Sequence, residues 1–538
     1  MILTDIVNSI VAKKDSKPIW ILFCIVLLGL GLRLINLGQQ PFWGDELLSL
    51  DITTFLPDLG QLIEYLRSVE VHPPLFYLIQ HFWIAWFGLS VFAIKMLSVL
   101  FGLGSIILSY FWGKIIFNSK QVGLLGALIV SVLPFQLAFS QEARPYIMLA
   151  FFGMAASLLL WQYQFSRKPI FLAGYALANL IGLYLHYSYL FVLVALAGWG
   201  LMEIYLNKEK RADQFFYWFL SHAAIVLGFS FWLTPFLFKF VIGLDSFFGL
   251  SRVPLFLRMP SFFGHIHDQL VWLTTASILP QIQIIAVFIA KILLITGFVW
   301  GFIRIYAKGH RAWRPVIFTI WLAEMPLILF FLSPASVPYT VIFERHISFV
   351  SIPLALLVAW IISGLSKKKA LVVLIIFLAS LIPYTTAVLG NDSFWDSNYN
   401  LAAVGEFINQ NFEDGDIVVV ALASVRTDLT HYLKDEIPVY NFLPINYYFN
   451  EYDTFATRHT LGLIENEFQS RVAIPTSDLT LMKTEKLVQL HSPKRVWLYA
   501  FGPTDYSIHA WFNARGWHQD FWNFTSLSRP GLYRYTSP

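Results

Sequence analysis

Asp45 and Glu46 stand side by side in Phe42-Trp43-Gly44-Asp45-Glu46, a few residues after the first long apolar stretch ends. Adjacent carboxylates among aromatics are poor packing units but suit acid–base chemistry at a membrane surface. Partial desolvation strengthens a carboxylate as a base, and a general base has to stay ionised near neutral pH. The same residues are also compatible with a helix cap or a solvated face. Other reactive side chains gather in short clusters: His72-Pro73-Pro74, Gln141-Glu142-Ala143-Arg144-Pro145-Tyr146, His186 within Tyr184-Leu185-His186-Tyr187, and Phe343-Glu344-Arg345-His346. The prolines after His72 fix the backbone and so hold the imidazole. Glu142 and Arg144 read either as an ion pair closing a helix end or as a phosphate contact with its orienting acid. Glu344, Arg345 and His346 open an apolar helix, where arginine pairs bidentately with phosphate and the helix start favours an anion. This is the best phosphate site in the chain.

These clusters are set between long apolar stretches. The chain has 538 residues, 57% hydrophobic and 13% charged, against about 25% charged in soluble domains. Apolar segments fall at 19–37, 91–113, 121–139, 146–164, 169–187, 188–206, 215–237, 280–303, 315–333, 347–365 and 369–389. They predict a polytopic α-helical membrane protein with about 11 transmembrane helices. Every second connection is basic, as in Lys13/Lys14/Lys17, Lys114/Lys120, Arg167/Lys168, Lys208/Lys210/Arg211, Arg304/Lys308/Arg311/Arg314 and Lys367/Lys368/Lys369. Lysine and arginine collect on the cytoplasmic side. The N-terminus is then cytoplasmic, its first segment an uncleaved signal anchor, and the protein sits in the inner (plasma) membrane. To keep this alternation, the apolar stretch from His72 to Ser90 is placed outside as a surface helix. The first external loop runs from about 38 to 90 and holds two short helices. The reactive clusters all fall on this external face, as does a loop at 238–279 with His265, His267 and Asp268. That pattern predicts a reaction site at the outer interface, not a path across the bilayer.

Composition changes near Gly390. Residues 391–538 predict an extracytoplasmic α/β domain, with strands at 417–422 and 496–501 and helices at 400–411, 424–434 and 504–515. It has no glycine-rich nucleotide fingerprint. Asp414-Gly415-Asp416 reads as turn chemistry and not as a metal site. A single cysteine, Cys24, excludes an intrachain disulfide and a cysteine-based metal site. Arg33, near the end of the first helix, is expected to snorkel to the interface. The net charge of +4 gives no indication of nucleic acid binding.

The order of motifs resembles the GT-C membrane glycosyltransferases, in particular the branch of protein O-mannosyltransferases and the bacterial aminoarabinose transferase (family 39-like). The matching elements are Trp43-Gly44-Asp45-Glu46, His72-Pro73-Pro74-Leu75-Phe76-Tyr77, Lys95 where relatives often have arginine, Ser140 to Tyr146, His186-Tyr187, and Arg345-His346 where relatives more often show Arg-Tyr. The resemblance covers residues 19–390, the GT-C catalytic domain, with 1–390 as the domain and 391–538 appended. It implies an inverting transfer of a hexosyl or pentosyl group from a polyprenyl-phosphate donor to an acceptor hydroxyl on a lipid, glycan or protein. Asp45 matches the catalytic aspartate and Glu46 its partner. Arg345, with Arg144 and His346, matches the donor-phosphate site. Trp43, His72, Glu142, Tyr146, His186 and Glu344 match positions around the substrate. The leaving group is a phosphate monoester, so no cofactor is required; a divalent metal is compatible with this chemistry but not predicted. The alternatives are a lipid-linked sugar transporter or flippase, which would place its polar groups near the midplane, and an O-antigen-ligase-type transferase using a pyrophosphate-linked donor.

Overall fold

A computed structural model of the chain describes residues 17–40, 42, 44–55, 58–68, 70, 72–206, 211–248, 313–332, 348–389, 401–420, 433–434, 437, 439–441, 492–501, 512–523 and 530–538. The helices in chain order begin with α1 (Lys17–Leu34), α2 (Gly44–Phe55), α3 (Leu59–Ser68), α4 (Leu75–Phe87), α5 (Val91–Ile115), α6 (Lys120–Val132) and α7 (Pro134–Ser140). They continue with α8 (Tyr146–Ser166), α9 (Pro169–Leu185), α10 (Tyr189–Leu206), α11 (Arg211–Phe248), α12 (Trp313–Leu332), α13 (Ser351–Ser363), α14 (Lys367–Val388) and α15 (Leu401–Asn411). The chain divides into two compact units, Met1–Gln40 with Ile63–Asn391, and Pro41–Leu62 with Asp392–Pro538.

The first unit is helical. Among the described residues, α1, α5, α8, α10 and most of α11 are long and apolar enough to cross a membrane. The bent pair α6–α7 adds a sixth crossing if taken as one span. The chain is therefore an integral membrane protein. Helices also occupy 169–185, 313–332, 351–363 and 367–388, where the sequence predicts further crossings. The predicted span 280–303 lies outside the described residues, as does the predicted external loop from residue 249 onward. That loop was expected to start at 238, but α11 continues to Phe248. The stretch predicted as the first external loop, about 38–90, holds three helices, α2, α3 and α4, where two were expected.

The stretch predicted as one span at 121–139 is broken, and its halves bend by 60°. Pro134 has no N–H to continue the ladder and pushes Leu133 into an extended conformation (ψ 119). A break inside an apolar bundle frees carbonyls that water cannot reach. Arg33 answers one of them. Its Nη1 donates to Ser131 O at 3.0 Å and to Gly29 O at 3.1 Å, and its Nε donates to Ser140 Oγ at 3.0 Å. Thr385 Oγ1 donates to Val132 O at 3.4 Å. Arg33 is fully buried (0% exposed), so it does not snorkel as expected. Gly102 on α5 leaves the space it occupies, since a Cβ there would lie 2.8 Å from Arg33 Nε. Gly113 and Gly123 bring α5 and α6 together; a Cβ on Gly113 would run into the Gly123 backbone.

The second unit carries a five-stranded sheet in the order β2-β1-β3-β5-β4. The strands are β1 (Asp416–Val420), β2 (Val439–Asn441), β3 (Arg495–Phe501), β4 (His518–Asn523) and β5 (Pro530–Thr536). β1 runs parallel to β2 and β3, and β5 pairs antiparallel with β3 and β4. Trp497, Tyr499, Val418 and Leu532 pack with Ile408 of α15 as its core. The expected helices at 424–434 and 504–515 lie largely outside the described residues. Asp414-Gly415-Asp416 forms a turn, with Gly415 at φ +95 and Asp416 N–H donating to Glu413 O at 3.0 Å. The Asp416 carboxylate, 2% exposed, is saturated by its neighbours. Arg495 donates to it through Nε (2.9 Å) and Nη2 (2.7 Å), Trp497 through Nε1 (3.0 Å), and Glu413 through its N–H (3.1 Å). Asp416→Ala leaves that indole N–H and much of the guanidinium unpaired. It is expected to destabilise this unit by about 3 kcal/mol, with Asp416→Asn less damaging, as read from denaturant unfolding of the purified chain. An unchanged midpoint for Asp416→Ala would contradict this role.

Candidate functional site

In the first unit, four segments bring ionisable side chains together at helix ends. The segment before α4 supplies Glu70 and His72. Both Pro73 and Pro74 are buried, and α4 starts directly after them. The turn after α7 supplies Glu142 and Arg144, each 3% exposed. Gln141 locks this turn, donating to Arg33 O at 3.0 Å and to Ile35 O at 2.9 Å. Gln40 donates to Gln141 Oε1 at 3.2 Å, and Lys95 donates to Gln40 O at 3.3 Å. Tyr146 begins α8. His186 follows α9 in an extended conformation (φ −164, ψ 139).

Glu70 is the charged centre. It is fully buried, and His72 meets it twice. The His72 ring Nδ1 lies 2.6 Å from Oε1, and the His72 backbone N–H donates to the same oxygen at 3.1 Å. Burial alone would raise the Glu70 carboxyl. The His72 hydrogen bonds, with His72 and Arg144 as nearby positive charges, outweigh burial and hold it at about 2. An ionised Glu70 accepts only, so the His72 ring donates to it from Nδ1. Burial, with Glu70 close by, pushes the Tyr77 phenol well up, so it stays a neutral hydroxyl.

The aromatic rings close the cluster. The His72 and His186 rings are 5.0 Å apart, Tyr146 and His186 are 5.7 Å apart, and the Arg144 guanidinium lies 5.9 Å from the Tyr146 ring centre. His186 Nδ1 accepts the Ser188 backbone N–H at 3.1 Å, which puts the ring proton on Nε2. Most of this cluster is nearly inaccessible. His72 is the open member, with 26% of its side chain exposed. The Arg144 guanidinium and the His72 imidazole, beside the carboxyl groups of Glu70 and Glu142, can donate hydrogen bonds to an anion.

Asp45 and Glu46 lie in the second unit, in the first turn of α2, where the helix dipole favours negative charge. Glu46 is 1% exposed and Asp45 is half-buried. Ser49 Oγ donates to Asp45 O at 2.8 Å. Trp43, Glu344, Arg345 and His346 lie outside the described residues. The structure therefore brings together His72, Arg144, Tyr146 and His186 of the predicted site residues, with Glu142 in the same turn as Arg144. It adds Glu70 and Tyr77, which the sequence reading did not single out. The signal for Glu70 was its place two residues before a histidine held by prolines.

No protein-family model matches the chain. An uncharacterized protein of Aquifex aeolicus (strain VF5) is 29% identical over 160 residues, 29% of this chain and 32% of the relative. The match thus spans about a third of that relative's length. Among solved structures, ArnT from Cupriavidus metallidurans in the apo state is similar over 97% of this chain and 98% of its own, with a TM-score of 0.60 at 13% identity. ArnT bound to undecaprenyl phosphate is similar over 95% and 97%, with a TM-score of 0.54 at 13% identity. The apo oligosaccharyltransferase of Archaeoglobus fulgidus is similar over 98% of this chain and 75% of its own, with a TM-score of 0.50 at 12% identity. The chain has the GT-C fold.

The Glu70 carboxyl is held at about 2 against an ordinary 4.5. Its contribution to stability is complete above about pH 4.5 and is lost as pH falls toward 2. Acidification from pH 5 to 2 is expected to remove on the order of 3 kcal/mol from the wild type and markedly less from Glu70→Gln. Thermal unfolding in detergent across that range checks it; parallel profiles for the two proteins would contradict it.

Proposed function

We propose that the chain is an inverting glycosyltransferase that moves a sugar from a polyprenyl-phosphate carrier to an acceptor hydroxyl at the outer face of the membrane. The observation that carries this reading is the convergence of Arg144, His72, His186 and Glu70 at helix ends of a GT-C fold. Catalytic transfer at an interface needs a place for a lipid phosphate outside the hydrocarbon, and buried cations at helix ends supply it. The undecaprenyl phosphate bound by ArnT supports a lipid phosphate as the ligand class.

In this mechanism Arg144, with Arg345 and His346, holds the donor phosphate and takes up the charge that builds as the C1–O bond breaks. Asp45 accepts the proton of the attacking hydroxyl, which reaches C1 from the opposite face, and Glu46 supports it. A single displacement inverts the anomeric centre. Trp43, His72, Glu142, Tyr146, His186 and Glu344 line the donor and acceptor. The leaving group is a phosphate monoester, so the step needs no cation to expel a pyrophosphate. The full topology in this reading has eleven crossings, a cytoplasmic N-terminus, a catalytic domain over 1–390 and an extracytoplasmic domain over 391–538 in the plasma membrane. The acceptor is a lipid, a glycan or a protein hydroxyl.

Membranes containing the chain are supplied with radiolabelled polyprenyl-phosphate sugars and followed for transfer. Asp45→Asn is expected to lower turnover by about 10²–10⁴-fold with donor binding kept. Arg144→Ala is expected to weaken donor binding as well. A folded Asp45→Asn protein that transfers at the wild-type rate would show the base to be elsewhere.

A further inference from the structure

Gln136 is fully buried in α7, yet its side-chain nitrogen reaches out of its own helix. Nε2 donates to Ser351 Oγ at 2.7 Å and to Ser348 O at 3.4 Å. Ser351 Oγ donates in turn to Ser348 O at 2.8 Å, and Ser348 Oγ donates to Tyr146 O at 2.7 Å. Ser348 opens a short 3-10 turn (Ser348–Val350) that leads into α13. The circuit thus ties a residue before the Gln141–Pro145 turn to the residue after it, and that turn carries Arg144. Ser109 and Ser157, also buried, bond back to their own helices, at Ser105 O and Gly153 O. Ser348 instead sends its hydroxyl to a carbonyl 202 positions away. Phe349 seats the same short turn on α8, where a Cβ on Gly153 would lie 2.5 Å from its ring.

We propose that Gln136 and Ser348, joined through Ser351, are positioning residues for the donor phosphate: they clamp both flanks of the 141–145 turn and so set where the Arg144 guanidinium stands. The inference rests on the donor class proposed above. Arg33 and Gln141 hold this turn from the α1 side, through Ser140 Oγ and the carbonyls of Arg33 and Ile35. The Gln136–Ser351–Ser348 circuit holds it from the α13 side. A hydrogen bond from a guanidinium to phosphate weakens steeply as its angle closes, and a binding site keeps its bonds only if held to within about 0.5 Å. Loss of one bond in the circuit frees one flank of the turn, while α7 and α8 stay packed through their apolar side chains. A network that only closed the bundle would add stability and leave the affinity of the folded protein untouched.

The test titrates the full chain in nanodiscs with polyprenyl phosphate and reads the affinity of the folded protein, with thermal unfolding measured on the same samples. Ser348→Ala and Gln136→Met are each expected to weaken binding about fivefold. Ser348→Thr keeps the hydroxyl and is expected to restore binding to within about twofold of the wild type. Ser157→Ala loses a buried hydroxyl bond elsewhere on α8 and is expected to bind as the wild type does. Wild-type affinity in Ser348→Ala and Gln136→Met, whatever their melting temperatures, overturns the clamp. So does an equal loss in Ser157→Ala, which would mark general loosening of the bundle. If Ser348→Ala does not fold, Gln136→Met decides by the same criterion. The donor reading is separated by Arg144→Ala: no saturable binding by the wild type, or wild-type affinity in Arg144→Ala, overturns that reading and the clamp with it, whereas weakened Arg144→Ala beside unchanged clamp variants overturns the clamp alone.

Discussion

The first unit depends on how Arg33 resolves a broken helix inside an apolar bundle. Pro134 stops the ladder between α6 and α7, and the freed carbonyl of Ser131 has no water to turn to. Arg33 supplies the donor from α1 and ties Ser140 at the far end of the break. Without it, the bend would leave backbone polar groups unsatisfied in a medium where each costs several kcal/mol. The cost of burying a guanidinium is offset by these bonds and by the space that Gly102 leaves beside it.

The consequence reaches the site. The short α7 leads directly into the Gln141–Pro145 turn. Gln141 grips the end of α1 through the carbonyls of Arg33 and Ile35. Arg144 is therefore delivered by a turn fixed at both its helix and its side chain. Glu70 then gathers His72 and Arg144, while the rings of Tyr146 and His186 pack around them. A buried cation cluster needs a counter-charge, and Glu70 supplies it without blocking the exposed face of His72.

Much of this was readable from residue types. Charge alternation and apolar runs predicted the helices, and the clusters at 72, 141–146 and 186 named residues that do meet. What escaped was long-range. Arg33 looked like a snorkelling residue because its partners, Ser131 and Ser140, are about a hundred positions away and carry no charge. Glu70 was inconspicuous because a lone acid in a loop resembles a solvated one until burial is known. The break at Leu133 was signalled by Pro134, but the hydrophobic run continued across it and hid the bend. In the second unit, β4 and β5 mix aromatic and polar residues, so they lacked the β-branched run that marked β1. Asp416 was recognised as a turn residue, and its second task, holding Arg495 and Trp497, depends on a strand 79 positions on.

The central claim is that Arg144 and His72 form part of a lipid-phosphate site at the membrane interface. The most direct measurement is an electron cryomicroscopy structure of the chain in nanodiscs with a polyprenyl phosphate bound. The account predicts phosphate density within about 4 Å of the Arg144 guanidinium and facing the His72 ring, with the prenyl chain lying between helices. Phosphate density elsewhere, with the Glu70–His72–Arg144 cluster unchanged and unoccupied at saturating ligand, would contradict it.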